Sequence, residues 1–258
     1  MIAKTPMSVE FKAVPAVYKC FDLIDLLAKT RKPLGVSAIA STLGYHRSTV
    51  FNLLYSLVDL GILERDDEGK FHLGARFHQL GKTAGKTAGL VEMARPYLEE
   101  INLKTGLTAF LVVRSAVNAV VVEKADSSAG FKISTDVGNS HSLFAGAGGK
   151  ALLCQLTDPD LDHLLATNDL VAFTPFSCVD KVVFKKMIQK VRKEGVAFDR
   201  EEYTEGIHAV AVPLYVSKTI PTAIYVVGLK KMLPEKRLQS WGEFMKTIAD
   251  KIQKKMND

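Results

Sequence analysis

Gly146-Ala147-Gly148-Gly149-Lys150 is the stretch of this chain that most resembles a cradle for a ligand. Glycines at the start of a helix let the backbone approach a bound group closely. The free amides of a first helical turn suit a carboxylate or another anion. Two nucleotide readings fail here. A Walker loop needs glycine at position 144 and Ser or Thr after the lysine, where the chain has Phe144 and Ala151. Gly146-x-Gly148-x-x-Ala151 fits the dinucleotide pattern formally, but the preceding Asn-Ser-His-Ser-Leu-Phe-Ala is no buried strand and no βαβ unit surrounds it. The same glycines would also serve plain tight turn packing.

A second group is Asp199 with Glu201, Glu202 and His208. A carboxylate there could accept a hydrogen bond from a ligand hydroxyl or orient a water; a capped, partly solvated turn would account for Glu201 and Glu202 equally well. Cys154 with His141, His163 and His208 would make a nucleophile and its bases only if they met. Cys154 lies inside the apolar run Ala151–Leu156, which predicts a buried, inert thiol. No HExxH, GxSxG or comparable catalytic spacing occurs, so no enzyme is expected. His141, Asp199 and His208 lack the spacing of a metal motif, and neither metal nor cofactor is expected.

The third group lies near the N-terminus. In the segment His46–Leu60, Val50, Leu53, Leu54, Leu57 and Leu60 form an apolar stripe that leaves Arg47, Ser48, Thr49, Phe51, Asn52 and Tyr55 on other faces. Asparagine pairs bidentately with adenine, Ser and Thr reach bases or phosphates, and arginine clamps phosphate or reads guanine. Arg65 and Lys70 bracket a short turn where they would touch a flanking phosphate or the minor groove. The bland counterpart is a small bundle whose polar face meets only water.

The elements around these groups follow from periodicity. Phe11–Lys29 has helical apolar spacing, with Pro15 tolerable only in its first turn. Val36–Leu43 reads as a second helix ended by Gly44, and His46–Leu60 as a third. Ile62–Arg65 and Phe71–Leu73 flank a polar turn containing Gly69, a hairpin signature. Two helices and a wing are how a small domain sets one helix in a DNA groove. From Ala75 to about Lys104 the chain reads as helical again, weakened by Gly81, Gly85 and Gly89 and split at Arg95-Pro96. The interdomain connection is expected near Gly81–Leu90.

Beyond Gly106 the pattern turns to strands at Thr108–Arg114, Ala119–Lys124 and Phe131–Thr135, then helices at Ala151–Leu156, Leu161–Ala166 and Lys181–Glu194. Apolar strands at Ala209–Tyr215 and Ala223–Leu229 precede a closing helix, Pro234–Met256. Strands and helices mix without strict βαβ alternation, which predicts an α+β arrangement with helices packed on a sheet.

The 258 residues suit one large or two modest domains, and 47% hydrophobic with 24% charged residues argues against disorder. No apolar run reaches membrane-spanning length. The first residues hold no continuous apolar stretch and the three cysteines suggest no disulfide framework, so a reducing cytoplasm is expected. Net charge is +6; residues 1–86 hold 12 basic and 8 acidic groups against 22 and 20 in the remainder. The excess therefore concentrates where a phosphate backbone would attract it.

The segment from Gly44 to Gly81 resembles the winged-helix half of IclR-type bacterial transcriptional regulators. Further along, ARPYLEEINLKTGLTAFLV is similar to that family's linker helix and first strand, HSLFAGAGGKALLC to the loop before its ligand-domain helix, and Phe198–Leu214 to its most distinctive signature. The resemblance covers nearly the whole chain from about Ala13. It implies a winged helix-turn-helix domain over 1–78, a linker helix over 79–95, and a GAF-like α/β effector-binding and oligomerisation domain over 96–258. It further implies a homodimer or homotetramer that binds double-stranded operator DNA through Arg47, Ser48, Thr49, Asn52, Arg65 and Lys70, and represses or activates in response to a small metabolite.

Effector contacts implied by the resemblance fall on Ala147, Gly148 and Asp199, with Ala209, Tyr225 and Val227 on the last strands; Ile133 and Leu143 would supply apolar walls, and the apolar residues would equally serve as ordinary core. Two departures from the family's pattern matter. Asn52 stands where arginine is common. Ala209, Tyr225 and Val227 replace small polar residues and a cysteine, which points away from a two- or three-carbon keto acid and toward an aromatic or otherwise bulkier carboxylate. A winged helix that binds a protein partner instead of DNA is the alternative.

Overall fold

The computed structural model of the chain describes residues 12–30, 32–83, 86–127, 135–217 and 219–257. Two compact units divide it, the first ending at Ala88 and the second running from Gly89. That division falls inside the stretch expected as a connection.

In the first unit, helical apolar spacing produces α1 (Pro15–Thr30), α2 (Val36–Leu43) and α3 (Arg47–Asp59). Pro15 takes the first helical position, where its missing amide costs nothing. Leu23, Leu27, Ile39, Val50, Leu54 and Leu57 converge on Leu63 and Phe71 in one buried core. The last two belong to a hairpin, β1 (Leu63–Arg65) and β2 (Phe71–Leu73), in which Leu63 pairs with Leu73 and Arg65 with Phe71. Its turn closes where the Lys70 amide donates to Asp66 Oδ1 at 2.8 Å. A further helix, α4 (Arg76–Thr83), follows.

Helix α5 (Lys86–Thr105), which belongs to the second unit from Gly89 onward, continues through Pro96 without a break. The expected break at Arg95-Pro96 is therefore corrected. Pro96 and Glu92, whose carbonyl loses its helical donor to the proline, are both exposed. Meanwhile the buried stripe Leu90, Ala94, Leu98 and Ile101 continues on both sides and holds the helix together. Next come β3 (Thr108–Ser115), β4 (Asn118–Ala125), β5 (Ser140–Ser142), α6 (Gly146–Leu153), α7 (Asp158–Thr167), α8 (Lys181–Glu194), β6 (Ala197–Arg200), β7 (Ile207–Leu214), β8 (Thr222–Leu229) and α9 (Glu235–Asn257). The strands form one antiparallel sheet in the order β5-β4-β3-β8-β7-β6.

Strand alternation sorts side chains between two cores. Phe110, Val112, Ala209, Ala211 and Ala223 face α6, α7 and α8. Leu107, Leu111, Val210, Val212, Ile224 and Val226 face α5 and α9. The edge strands β5 and β6 escaped the sequence reading because three or four residues carry too little periodicity. The strand expected over Phe131–Thr135 lies outside the described residues apart from Thr135. Among the described residues no helix is long and apolar enough to cross a membrane.

Candidate functional site

A cavity of about 360 Å³ opens between the inner face of the sheet and the first turn of α6. The strand register builds its floor: Asp199 pairs with Ala209 and Ala209 with Val227, setting three residues in one row across β6, β7 and β8. Tyr225, two residues along from Val227, stacks its ring on buried Phe110 at 4.8 Å between centroids. Val112, Ala119 and Ile207 add apolar wall, while His141, Ser142, Tyr203 and Thr204 line the polar remainder.

Helix α6 starts at Gly146, five residues ahead of the expected Ala151. Glycine's weak helix propensity argued for a turn, but nearly every residue from Gly146 to Leu153 is buried, and this packing overrides propensity. Gly149 is obligatory for that packing, since a β-carbon there would lie 2.2 Å from the Leu143 carbonyl oxygen. Gly148 leaves the space taken by Tyr225, whose ring carbon would sit 3.3 Å from a β-carbon at 148. No side chain caps the helix start at Ala145, so its first amides belong to the cavity wall.

Asp199 closes the same corner. Its Oδ1 accepts the Glu202 amide at 2.7 Å, and its Oδ2 lies 3.3 Å from where a β-carbon on Gly146 would stand. Burial, with the Glu202 carboxylate as a second cause, pushes the Asp199 carboxyl up to about 6. The Tyr203 hydroxyl lies 3.4 Å from His141 Nδ1. Burial holds the His141 imidazole below its ordinary value and raises the phenols of Tyr203 and Tyr225. The cavity thus offers one anion-attracting end, a protonatable carboxyl beside it, an aromatic floor and a few hydroxyl partners.

The structure brings Ala147, Gly148, Asp199, Ala209, Tyr225 and Val227 to this cavity. Leu143 is corrected: it does not line the cavity, because its side chain is fully buried in the core cluster that also holds Ala147, Ala151 and Leu152 of α6. Ile133 lies outside the described residues. His208 is also set apart, since alternation along β7 turns it to the opposite face from Ala209, where its Nδ1 lies 2.8 Å from the Leu233 carbonyl. His141, Asp199 and His208 therefore do not meet, and among the described residues no cluster of three His, Cys, Asp or Glu is arranged for a metal. Cys154 is buried, and burial pushes its thiol up to about 11.

The sequence reading missed the pairing of Lys150 with Glu202, whose Nζ–Oε distances are 2.5 and 2.6 Å. Glu202 is buried rather than part of a solvated turn. Its backbone is also held, because the Ser177 hydroxyl donates to its carbonyl at 2.6 Å. His141, Tyr203, Thr204 and Ile207 were missed as lining residues. The two-residue alternation from Ala209 back to Ile207 was the signal that would have found the last of them.

In the first unit, α3 turns Arg47, Ser48, Phe51, Asn52 and Tyr55 to solvent, opposite the buried Val50, Leu54 and Leu57. Thr49 is half-buried. His46 Nδ1 lies 2.7 Å from the Ser48 hydroxyl at the helix start. Arg65 and Lys70 are exposed on the wing, Lys70 with its ammonium 2.5 Å from Glu68. The surface thus carries hydrogen-bonding groups on the helix and cations on the adjoining turn.

Comparison with known proteins covers both units. A family profile described as the IclR helix-turn-helix domain matches residues 16–67, and one described as the bacterial transcriptional regulator IclR C-terminal matches residues 83–254. The HTH-type transcriptional repressor AllR of Salmonella typhi is 26% identical over 243 residues, covering 93% of this chain and 89% of the relative. AllR of Escherichia coli K12 is 26% identical over 93% of this chain and 90% of its own length. Among solved structures, an IclR homologue from Microbacterium hydrocarbonoxydans in complex with 4-hydroxybenzoate superposes with a TM-score of 0.81 at 18% identity, over 94% of this chain and 99% of that one. An IclR regulator from Alicyclobacillus acidocaldarius gives 0.79 at 23% identity, over 94% and 98%.

Proposed function

The chain belongs to the IclR family of bacterial transcriptional regulators, which are transcription factors and not enzymes, and from that premise we propose that its effector is a carboxylate with an aromatic or similarly bulky apolar body. The single observation that carries this reading is the cavity itself: uncapped α6 amides and Asp199 at one corner, with Tyr225 stacked on Phe110 along the floor. The amides would hold the carboxylate. Tyr225, Val112, Ala119, Ala209 and Val227 would cover the apolar body, and Tyr203 with His141 would take a further polar substituent. The Microbacterium homologue's 4-hydroxybenzoate has this chemistry and supports the reading.

The DNA side of the proposal assigns Asn52, Ser48 and Thr49 to base edges and Arg47, Arg65 and Lys70 to phosphates, in a homodimer or homotetramer on a palindromic operator. Residues 1–78 would form the DNA-binding domain, 79–95 the linker, and 96–258 the effector and oligomerisation domain.

Calorimetry with benzoate, 4-hydroxybenzoate, pyruvate and glyoxylate tests the effector class. Saturable binding of the aromatic acids alone is expected. Tight glyoxylate or pyruvate binding with none of the aromatic acids would overturn it.

A further inference from the structure

Two aromatic rings stand exposed on the helix that the proposed function gives to DNA. Phe51 is 47% and Tyr55 37% exposed. They are one helical turn apart and in tilted contact, with centroids 4.4 Å apart and ring planes 37° from parallel. Tyr55 is braced from behind, edge-on to buried Phe71 of the wing at 5.7 Å, with the Arg65 guanidinium 5.7 Å from its ring. Phe51 is therefore a propped, half-exposed ring beside Asn52, on the flank between the buried stripe of α3 and its polar face.

Large apolar groups left exposed at a defined place mark a contact surface. In the major groove, the apolar group on a base-pair edge is the C5-methyl of thymine. We propose that Phe51, supported by Tyr55, reads thymine methyl groups, so that the preferred operator carries thymine at fixed positions beside those read by Asn52. This rests on the DNA-binding reading and adds an apolar letter to its polar code. Continuity with Arg47, Ser48 and Asn52 on one exposed face favours duplex DNA over a protein as the occupant.

The test changes the DNA before the protein. A preferred site is selected from a random duplex pool by the full chain, and each thymine in it is replaced in turn by deoxyuridine, which removes only the methyl. Wild-type affinity is expected to fall roughly threefold to fourfold at each contacted methyl. Phe51→Ala should bind the thymine and uracil duplexes equally, and Phe51→Leu should keep part of the discrimination. Equal wild-type affinity for thymine and uracil at every position would overturn the proposal while leaving sequence-specific binding intact. If Phe51→Ala instead changes the oligomeric mass in sedimentation while uracil has no effect, the ring belongs to a protein interface and the proposal fails. Failure to enrich any sequence would sink the DNA-binding reading and this proposal with it.

Discussion

Lys150 on the first turns of α6 holds both carboxylate oxygens of Glu202, at 2.5 and 2.6 Å, with both residues buried. The pair ties the helix whose amides form one end of the cavity to the loop that carries Tyr203 and Thr204. Its attraction offsets two desolvation costs, so each ion depends on the other. Lys150→Met should leave Glu202 buried without compensation and cost about 3–5 kcal/mol. Lys150→Met combined with Glu202→Leu should recover much of that loss. Urea unfolding of the three variants checks this, and a single-variant loss under about 1 kcal/mol, the range of a surface pair, would contradict it.

Asp199 makes stability depend on pH. Its carboxyl is raised from the ordinary 3.8 to about 6 in the folded chain, first by burial and then by Glu202. The unfolded chain therefore releases this proton more readily than the folded one. The group's contribution is fully present below about pH 3.8, declines as pH rises, and is lost once pH passes about 6. Above that, the folded state carries a buried charge that Asp199→Asn lacks, while the amide oxygen can still accept from Glu202. The variant should be more stable at pH 8 by on the order of 2–3 kcal/mol, with the advantage about halved at pH 5. Denaturant unfolding at both pH values measures it; a variant less stable than wild type at pH 8 would show that the charge is held, not merely tolerated.

The same carboxyl should couple proton uptake to effector binding. A ligand carboxylate at the α6 amides would lie beside Asp199 and favour its protonated form. Benzoate affinity should therefore rise several-fold from pH 8 to pH 6 in the wild type and stay flat in Asp199→Asn. Burial holds the His141 imidazole below its ordinary value and raises the Tyr203 and Tyr225 phenols, and comparison with Asp199→Asn separates the Asp199 contribution from theirs. Calorimetry in buffers of different ionisation enthalpy would count the protons taken up, and a count of zero at pH 7 would refute the coupling.

Much of this arrangement was legible in the residues. The stripe Val50, Leu54, Leu57 fixed α3 to within a residue or two at each end, because helical periodicity over thirteen residues is hard to imitate. Continuous apolar runs likewise marked β7 and β8, which carry Ala209, Tyr225 and Val227. What stayed hidden depends on contacts distant in sequence. The start of α6 was misplaced because burial overruled glycine's propensity, and Pro96 failed to break α5 because the stripe across it is fully packed. Lys150 and Glu202 lie 52 residues apart and form no local pattern. Leu143 read as a ligand wall because an apolar residue beside a glycine loop has the same composition whether it faces a cavity or a core.

Gly148 and Tyr225 make a separable pair. A β-carbon at 148 would sit 3.3 Å from the tyrosine ring, tight enough that one of them must shift. Gly148→Ala alone should lower the melting temperature by a few degrees, whereas in Tyr225→Ser the same change should cost little, a positive coupling in the double-mutant cycle. Tyr225→Ser should also weaken benzoate binding about tenfold or more through loss of the buried ring face. Additive melting shifts would place the ring away from the helix in solution.

The proposed DNA-binding function gives Asn52 and Lys70 different tasks, reading and holding. Asn52 is an exposed amide on α3, suited to a bidentate contact with adenine, and its loss removes discrimination at one position. Lys70 lies on the wing turn with its ammonium 2.5 Å from Glu68, a fully exposed pair that a phosphate can displace at little cost. Asn52→Ala should therefore cost about 1–3 kcal/mol on the selected operator and almost nothing on random duplex. Lys70→Ala should weaken both alike and reduce the slope of log affinity against log salt by about 1. Titrations of both variants on both duplexes at several salt concentrations distinguish the roles. An equal loss on both duplexes from Asn52→Ala would move that residue from the bases to the backbone, and base selection would then fall to Ser48, Thr49 and the Phe51 ring beside them.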